Sequence, residues 1–189
     1  MDVLGTVIRL QVQRSRLKPG ERGARFYDPS PLLEVDSLQV GPRGVTGRDG
    51  DGRDVLDVHH ADHPDSRNVR LVNGLSLLPQ AHYARLRQTY GPHLADGAAG
   101  ESVLLATSGP WPEPPGDLEL ETDDGWLLLT GVAPAPPCVE FSRFCLDDLQ
   151  APDEQVQTAL SDLADGTRGF YAQTAGTGRV VVGARLRRA

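Results

Sequence analysis

"DLELETDDGWLLLTGV" (residues 117–132) holds two β-like runs parted by turn formers. In the first, Leu118 and Leu120 alternate with Asp117, Glu119 and Glu121, the two-residue period of a strand with one wet face. Asp123, Asp124 and Gly125 then interrupt, and "WLLLTGV" (126–132) resumes as a second strand.

The same texture runs through the rest of the chain. Strands are expected at 3–12 ("VLGTVIRLQV"), 32–40 ("LLEVDSLQV"), 68–73 ("NVRLVN"), 102–107 ("SVLLAT"), 138–141 ("CVEF"), 169–174 ("GFYAQT") and 179–188 ("RVVVGARLRR"). So many short strands with Gly, Pro and Asp between them predict a mainly β fold: a closed or partly open antiparallel β-barrel.

Two segments have helical periodicity instead. In "SLLPQAHYARLRQTYG" Pro79 suits a first helical turn, Ala81, Tyr83, Leu86 and Tyr90 form a partial apolar stripe, and Gly91 supplies the stop. "PDEQVQTALSDLADG" starts at Pro152, places Asp153 and Glu154 at its positive end, aligns Val156, Leu160 and Leu163, and stops at Gly166. Both are expected to pack peripherally, over the barrel ends. Residues 41–67, rich in Gly, Asp and His, read as one long loop, and "GPWPEPPG" (109–116) as a stiff connector.

With 189 residues and no internal repeat, the chain is expected to form a single domain (1–189), able to bury roughly 70% of its unfolded surface. A net charge of −7 argues against nucleic acid as the partner. No apolar run is long enough to span a bilayer, and the alternating N-terminus with Asp2 does not resemble a secretion signal, so a cytoplasmic location without membrane contact is expected. Nothing in the sequence specifies an oligomeric state.

Both cysteines lie in "PAPPCVEFSRFC" (134–145). In a continuous strand they would stand roughly 23 Å apart, so a bridge between them would need a tight reversal. Pro136 and Pro137 donate no backbone hydrogen bond and cannot lie inside a central strand, which puts Cys138 at a strand entrance on the barrel rim. There it is either a thiol that meets a ligand or a small buried hydrophobe. Cys145 reads as structural. "DVHHADH" carries His59, His60 and His63 without the glutamate of a zinc-protease helix, and suits a solvated loop or a phosphate contact better than a metal. Arg43 and Arg48, in the glycine-rich stretch before it, could hold an anion. Arg168 could bind an anion at a strand entrance or satisfy the last carbonyls of the preceding helix.

Four pieces in order resemble the MOSC family, named for the C-terminal domain of molybdenum cofactor sulfurases. They are "GVTGRD" (44–49), "YGPHLADGAAGESVLL" (90–105), the Pro-Cys run at 136–141 and "RGFYAQTAGTGRVVVGARL" (168–186). The resemblance implies a β-barrel-rich fold and a functional Cys138, either ligating molybdenum of a pterin cofactor in the reduction of N-hydroxylated bases or carrying sulfur as a persulfide. It implies Glu101 and Ser102 in the cofactor site, with Arg43, Arg48 and Arg168 as candidates for its phosphate. The partners implied are a small-molecule substrate or a sulfur acceptor, together with a redox partner protein. The chain departs from the family at Ser102, where Asn is frequent, at Ala135, where an Arg precedes Pro-Cys, and at Ala184, where Asp is frequent. These departures also motivate an alternative: a non-catalytic barrel that binds a small molecule or anion.

Overall fold

The computed structural model describes residues 2–21, 23–66, 68 and 70–189. Seven strands close into a barrel: β1 (Val3–Gln13), β6 (Leu75–Pro79), β7 (Val103–Thr107), β8 (Leu118–Thr122), β9 (Gly125–Pro134), β10 (Phe170–Gln173) and β12 (Arg185–Arg188). The remaining strands are β2 (Leu32–Glu34), paired with the far end of β1, and β3 (Ser37–Gly41), β4 (Gly44–Arg48), β5 (Asp54–Leu56) and β11 (Gly178–Val181), which form a four-stranded sheet. The helices are α1 (Gln80–Tyr90), α2 (Val139–Cys145) and α3 (Asp153–Asp162).

Period-two patterning explains the closure. On β8, Leu118 and Leu120 are fully buried in the barrel interior beside Leu127 and Leu129 of β9, while Glu119 and Glu121 face outward to pair with Arg187 and Arg185 of β12. A register shift between Val7 and Arg9 of β1 lets Val7 and Leu10 both point inward. On β6 and β7, Leu75, Leu77, Val103 and Leu105 fill the interior, whereas Leu78 and Leu104 point out into a second core with Tyr83, Leu86, Phe141, Cys145 and Leu163. The helices therefore cover one side wall, where the outward Leu78 and Leu104 need apolar cover, rather than the barrel ends.

Several expected elements change on folding. The barrel is not wholly antiparallel: β6 and β7 run parallel, and the chain between them includes the crossover helix α1. The single strand expected at 32–40 divides into β2 and β3 at Val35 and Asp36, whose amides bond to Leu10 O and Arg48 O as the chain changes sheets. That at 179–188 divides at Gly183, whose φ of +92° makes the corner from β11 into β12. The 41–67 loop contains β4 and β5, joined by a turn in which Asp49 Oδ1 accepts from the Asp51 and Arg53 amides. Of the strand expected at 68–73, Val69 lies outside the described residues and the others are turn, bend or irregular.

"CVEF" is not a strand. Cys138 is extended (φ −144°, ψ 151°), and its carbonyl accepts from both the amide and the hydroxyl of Ser142, so the chain enters α2 immediately after it. Phe141 and Cys145, one helical turn apart, are both buried against the side wall. The prolines do fix an extended approach, but it leads into a helix. Pro79 likewise ends β6 instead of opening the helix, and α3 stops at Asp162, before Gly166. Ala159 joins Val156 and Leu163 on the buried side of α3, with Leu160 half-buried. No helix among the described residues is long and apolar enough to cross a membrane.

His82 of α1 ties three segments together. Its ring is buried, Nδ1 donates to Thr167 O at 3.1 Å, and Nε2 accepts from the Trp111 amide at 2.9 Å, which fixes the neutral tautomer. Burial pushes its pKa below the usual histidine value, against the opposing hydrogen bonds that the ring makes to the backbone at Thr167 and Gly166. The unfolded chain takes the proton first, so this contribution is present above the ordinary histidine pKa and is lost as pH falls from there toward the folded value. Urea unfolding of wild type and His82→Gln at neutral and mildly acidic pH should show wild type losing ground to the variant on acidification. His82→Ala should cost about 2 kcal/mol at neutral pH, because two partners are left unsatisfied.

Candidate functional site

A cleft of about 680 Å³ opens where the chain leaves β9, enters β10 and approaches β7. Its lining includes Pro136, Pro137 and Cys138 on one wall and Arg168, Phe170 and Tyr171 beside them. Gly100 and Glu101, Val58 and His59, and the cations Arg16, Lys18 and Arg25 of the chain between β1 and β2 also border it.

Cys138 is half-buried and unbridged, as is the buried Cys145. The prolines before it and the turn into α2 behind it hold its backbone from both sides. Arg168 reaches the same wall from the entrance of β10: its Nη1 donates to Pro136 O at 2.9 Å and to Cys138 Sγ at 3.4 Å, and the guanidinium lies 5.0 Å from the Phe141 ring centroid. Arg168 thus bonds the Pro-Cys wall and not the last carbonyls of the preceding helix, which was one of its two expected roles. It also brings a cation to Cys138, where this chain has Ala135 before Pro-Cys; Ala135 is buried, and its amide bonds Gly169 O. Cys145 is structural, its thiol pushed up to about 12 by burial.

Glu101 is 4% exposed and borders the cleft. Its Oε2 accepts from the Tyr83 hydroxyl at 2.9 Å, and that hydroxyl in turn accepts from the Ala99 amide; Oε1 has no partner among the described residues. Burial pushes the Glu101 carboxyl up to about 7, only partly offset by hydrogen bonds from its own amide and Tyr83. Tyr27, whose hydroxyl donates to Ala98 O at 2.7 Å, packs edge-on against Phe141 and closes the floor.

The other expected site residues stand elsewhere. Ser102 is buried, with its hydroxyl 3.2 Å from that of Ser76, and does not border the cleft. Arg43 is paired with Asp62, and Arg48 lies 3.7 Å from Asp54; both are exposed and outside the lining. His60 and His63 accept backbone amides from Asp62 and Asp65, whereas His59 joins the cleft. Among the described residues no group of three His, Cys, Asp or Glu is gathered as a metal cage. Sequence reading missed the basic rim. "RSRLKPGERGAR" (14–25) crowds Arg14, Arg16, Lys18 and Arg25 into one segment of an acidic chain, and that crowding was the available signal. Asp65 lies 3.7 Å from Arg16 and Glu140 4.0 Å from Lys18, whereas Arg25 has no ion pair among the described residues.

The buried carboxyl makes a pH prediction. Folded Glu101 keeps a proton that the unfolded chain has released between the ordinary glutamate pKa and about 7, so its stability contribution is lost as pH rises through that window. Glu101→Gln should therefore be more stable than wild type by about 2–3 kcal/mol at pH above 7, with the gain vanishing at the acidic end of the window, by chemical denaturation at both pH values.

No family model and no curated protein matches the sequence. Among solved structures, YuaD from Bacillus subtilis superposes with a TM-score of 0.58 at 13% identity, over 96% of this chain and 93% of that one. YiiM from Geobacillus stearothermophilus gives 0.53 at 19% identity, over 96% and 73%. YiiM from Escherichia coli gives 0.50 at 18% identity, over 83% of this chain and 64% of that one. At these identities the likeness is one of fold alone, and it supports a MOSC-like fold for this β-barrel.

Proposed function

We propose that the cleft is a reaction site in which the Cys138 sulfur is the working atom, and that it takes a molybdenum-pterin cofactor. The observation that carries this reading is the Cys138 thiol itself, bordering a 680 Å³ cleft with an arginine donating to its sulfur. A thiolate is a soft, polarisable ligand suited to such a metal. The residues present fit the group. Arg16, Lys18 and Arg25 supply cations for its phosphate, and Glu101 Oε1 is an unused acceptor for a ring N–H. When bound, the cofactor would supply two-electron chemistry of the kind needed to reduce N-hydroxylated bases, with a redox partner protein delivering electrons. The chain's own part is to hold the sulfur, neutralise the phosphate and admit the small-molecule substrate.

A second reading is favoured by the Arg168 contact. A guanidinium on Sγ suits a sulfur anion released during group transfer, so Cys138 also fits a persulfide carrier that hands sulfur to an acceptor.

Molybdenum and pterin content should be measured per chain after anaerobic purification from a cofactor-producing host, beside persulfide detection by mass spectrometry. Stoichiometric molybdenum in wild type and its loss in Cys138→Ser is the expected result. Equal molybdenum in both would remove Cys138 as a ligand, and absence from both would sink the cofactor reading. Arg168→Ala, which removes the donor to Sγ, should alter the rate of Cys138 alkylation by iodoacetamide under native conditions, and an unchanged rate would remove the guanidinium from the reacting sulfur.

A further inference from the structure

The cleft contains a second reactive pair that the proposed cofactor chemistry leaves unused. Asp57 is 2% exposed and is held by its neighbours: Oδ2 accepts from the Gln13 amide at 2.7 Å, and Oδ1 accepts from the His59 amide at 2.8 Å. The same Oδ1 lies 2.9 Å from His59 Nδ1. A carboxylate can only accept here, so Nδ1 carries a proton, and in the neutral ring Nε2 then keeps its lone pair. The Asn68 amide group, donating to His59 O at 2.9 Å, fixes the backbone of the turn from behind. Nε2 has no partner among the described residues, and the ring lines the same cleft as Cys138.

Tyr171 links the two sides of this cleft. Burial pushes its phenol up, Arg168 opposes that, and Cys138 and Asp57 both add to it, so the Tyr171 ring stands within electrostatic range of both groups. An imidazole oriented from behind by a buried carboxylate and a thiol beside a guanidinium thus border one volume. This is the donor set of a proton-coupled transfer at sulfur: a base on one side and a cation for the leaving group on the other.

We propose that Asp57 and His59 form the proton relay of this cleft and that the molecule they act on is a thiol accepting sulfur from Cys138. The inference rests on the persulfide-carrier reading. Cys138 is first loaded by a sulfane-sulfur donor such as polysulfide. The S–H bond of the acceptor thiol breaks, its proton goes to His59 Nε2, and its electron pair forms a bond to the terminal sulfur of the Cys138 persulfide. The Sγ–S bond breaks with its pair going to Sγ, beside Arg168. The imidazolium then returns the proton to Sγ. In sum, thiol plus Cys138 persulfide gives acceptor persulfide plus Cys138 thiol, with no net oxidation. His59 is the catalytic base, and Asp57 is a positioning residue that holds Nδ1–H and offsets the imidazolium charge.

The test compares two acceptors on the full-length protein loaded with polysulfide, with Cys138→Ser as the loading control. Mercaptoethanol is mostly protonated near neutral pH and needs a base; thionitrobenzoate is already ionised and does not. His59→Asn keeps a side-chain donor for Asp57 but lacks Nε2, and His59→Gln is a second variant should the first misfold; unchanged thermal melting confirms the fold. The expected result is sulfur transfer to mercaptoethanol slowed about 10²-fold in the variant, with transfer to thionitrobenzoate unchanged. Equal rates for wild type and variant with both acceptors, or equal slowing with both, would overturn the relay while leaving the carrier intact. If Cys138 takes up no persulfide in wild type, the carrier reading and the relay built on it both fall.

Discussion

Closure of the barrel rests on the last strand. β12 lies between β8 and β1, pairing antiparallel with both, and without it the seven-stranded ring would be an open sheet with two bare edges. The corner before it makes this possible. Gly183 turns the chain out of the four-stranded sheet, and the exchange of hydrogen bonds between Val7 and the Gly183–Ala184 segment anchors that turn to β1. Leu186 then plugs the interior while Arg185 and Arg187 stack on Trp126 and pair with the outward glutamates of β8. Most of the hold comes from burial, since half-exposed ion pairs contribute little in water.

The cleft is a consequence of how the wall is covered. Leu78 and Leu104 face outward and need apolar cover, which α1, α2 and α3 provide. Packing α2 on that wall fixes the Pro-Cys segment at its start, and the path from α3 into β10 brings Arg168 to the same place. The Cys138 thiol is therefore positioned by the second core, through Phe141 and its contacts with Tyr27 and Phe144. The same packing buries Glu101 with one oxygen unsatisfied, an arrangement that costs stability and is tolerated where a ligand completes it.

Much of the fold was legible because half-buried strands announce themselves by alternation. Leu118 and Leu120 against Glu119 and Glu121 are the clearest case and β10 alternates likewise, whereas β7, buried on both faces, reads by its short apolar run. The failures share a cause. Where a strand crosses from one sheet to another, as at Val35–Asp36 and Gly183, local pattern continues although pairing partners change. "CVEF" has strand-like composition over four residues, and only the longer spacing of Phe141 and Cys145 carries the helical period. At the site, Cys138 stood out through its prolines, Arg168 through its strand entrance and Glu101 through the family resemblance; Arg43, Arg48 and Ser102 lie outside the cleft lining, Lys18 was marked only by the basic crowding around it and His59 only as one of three loop histidines, and Tyr171 carries no local mark.

Relations between neighbours along the chain were enough to specify the strand texture, the mainly β class, the helical segments around 80–90 and 153–162, and the extended approach of the chain to a thiol after two prolines. All of these are written in side-chain period, proline geometry and glycine stops. Which strands pair, that β6 and β7 run parallel, and which residues meet across the cleft were settled by tertiary packing. Cys138 and Arg168 are thirty residues apart and His59 lies far from both; only burial of two apolar cores brings them to one volume, and local interactions carry no information about it.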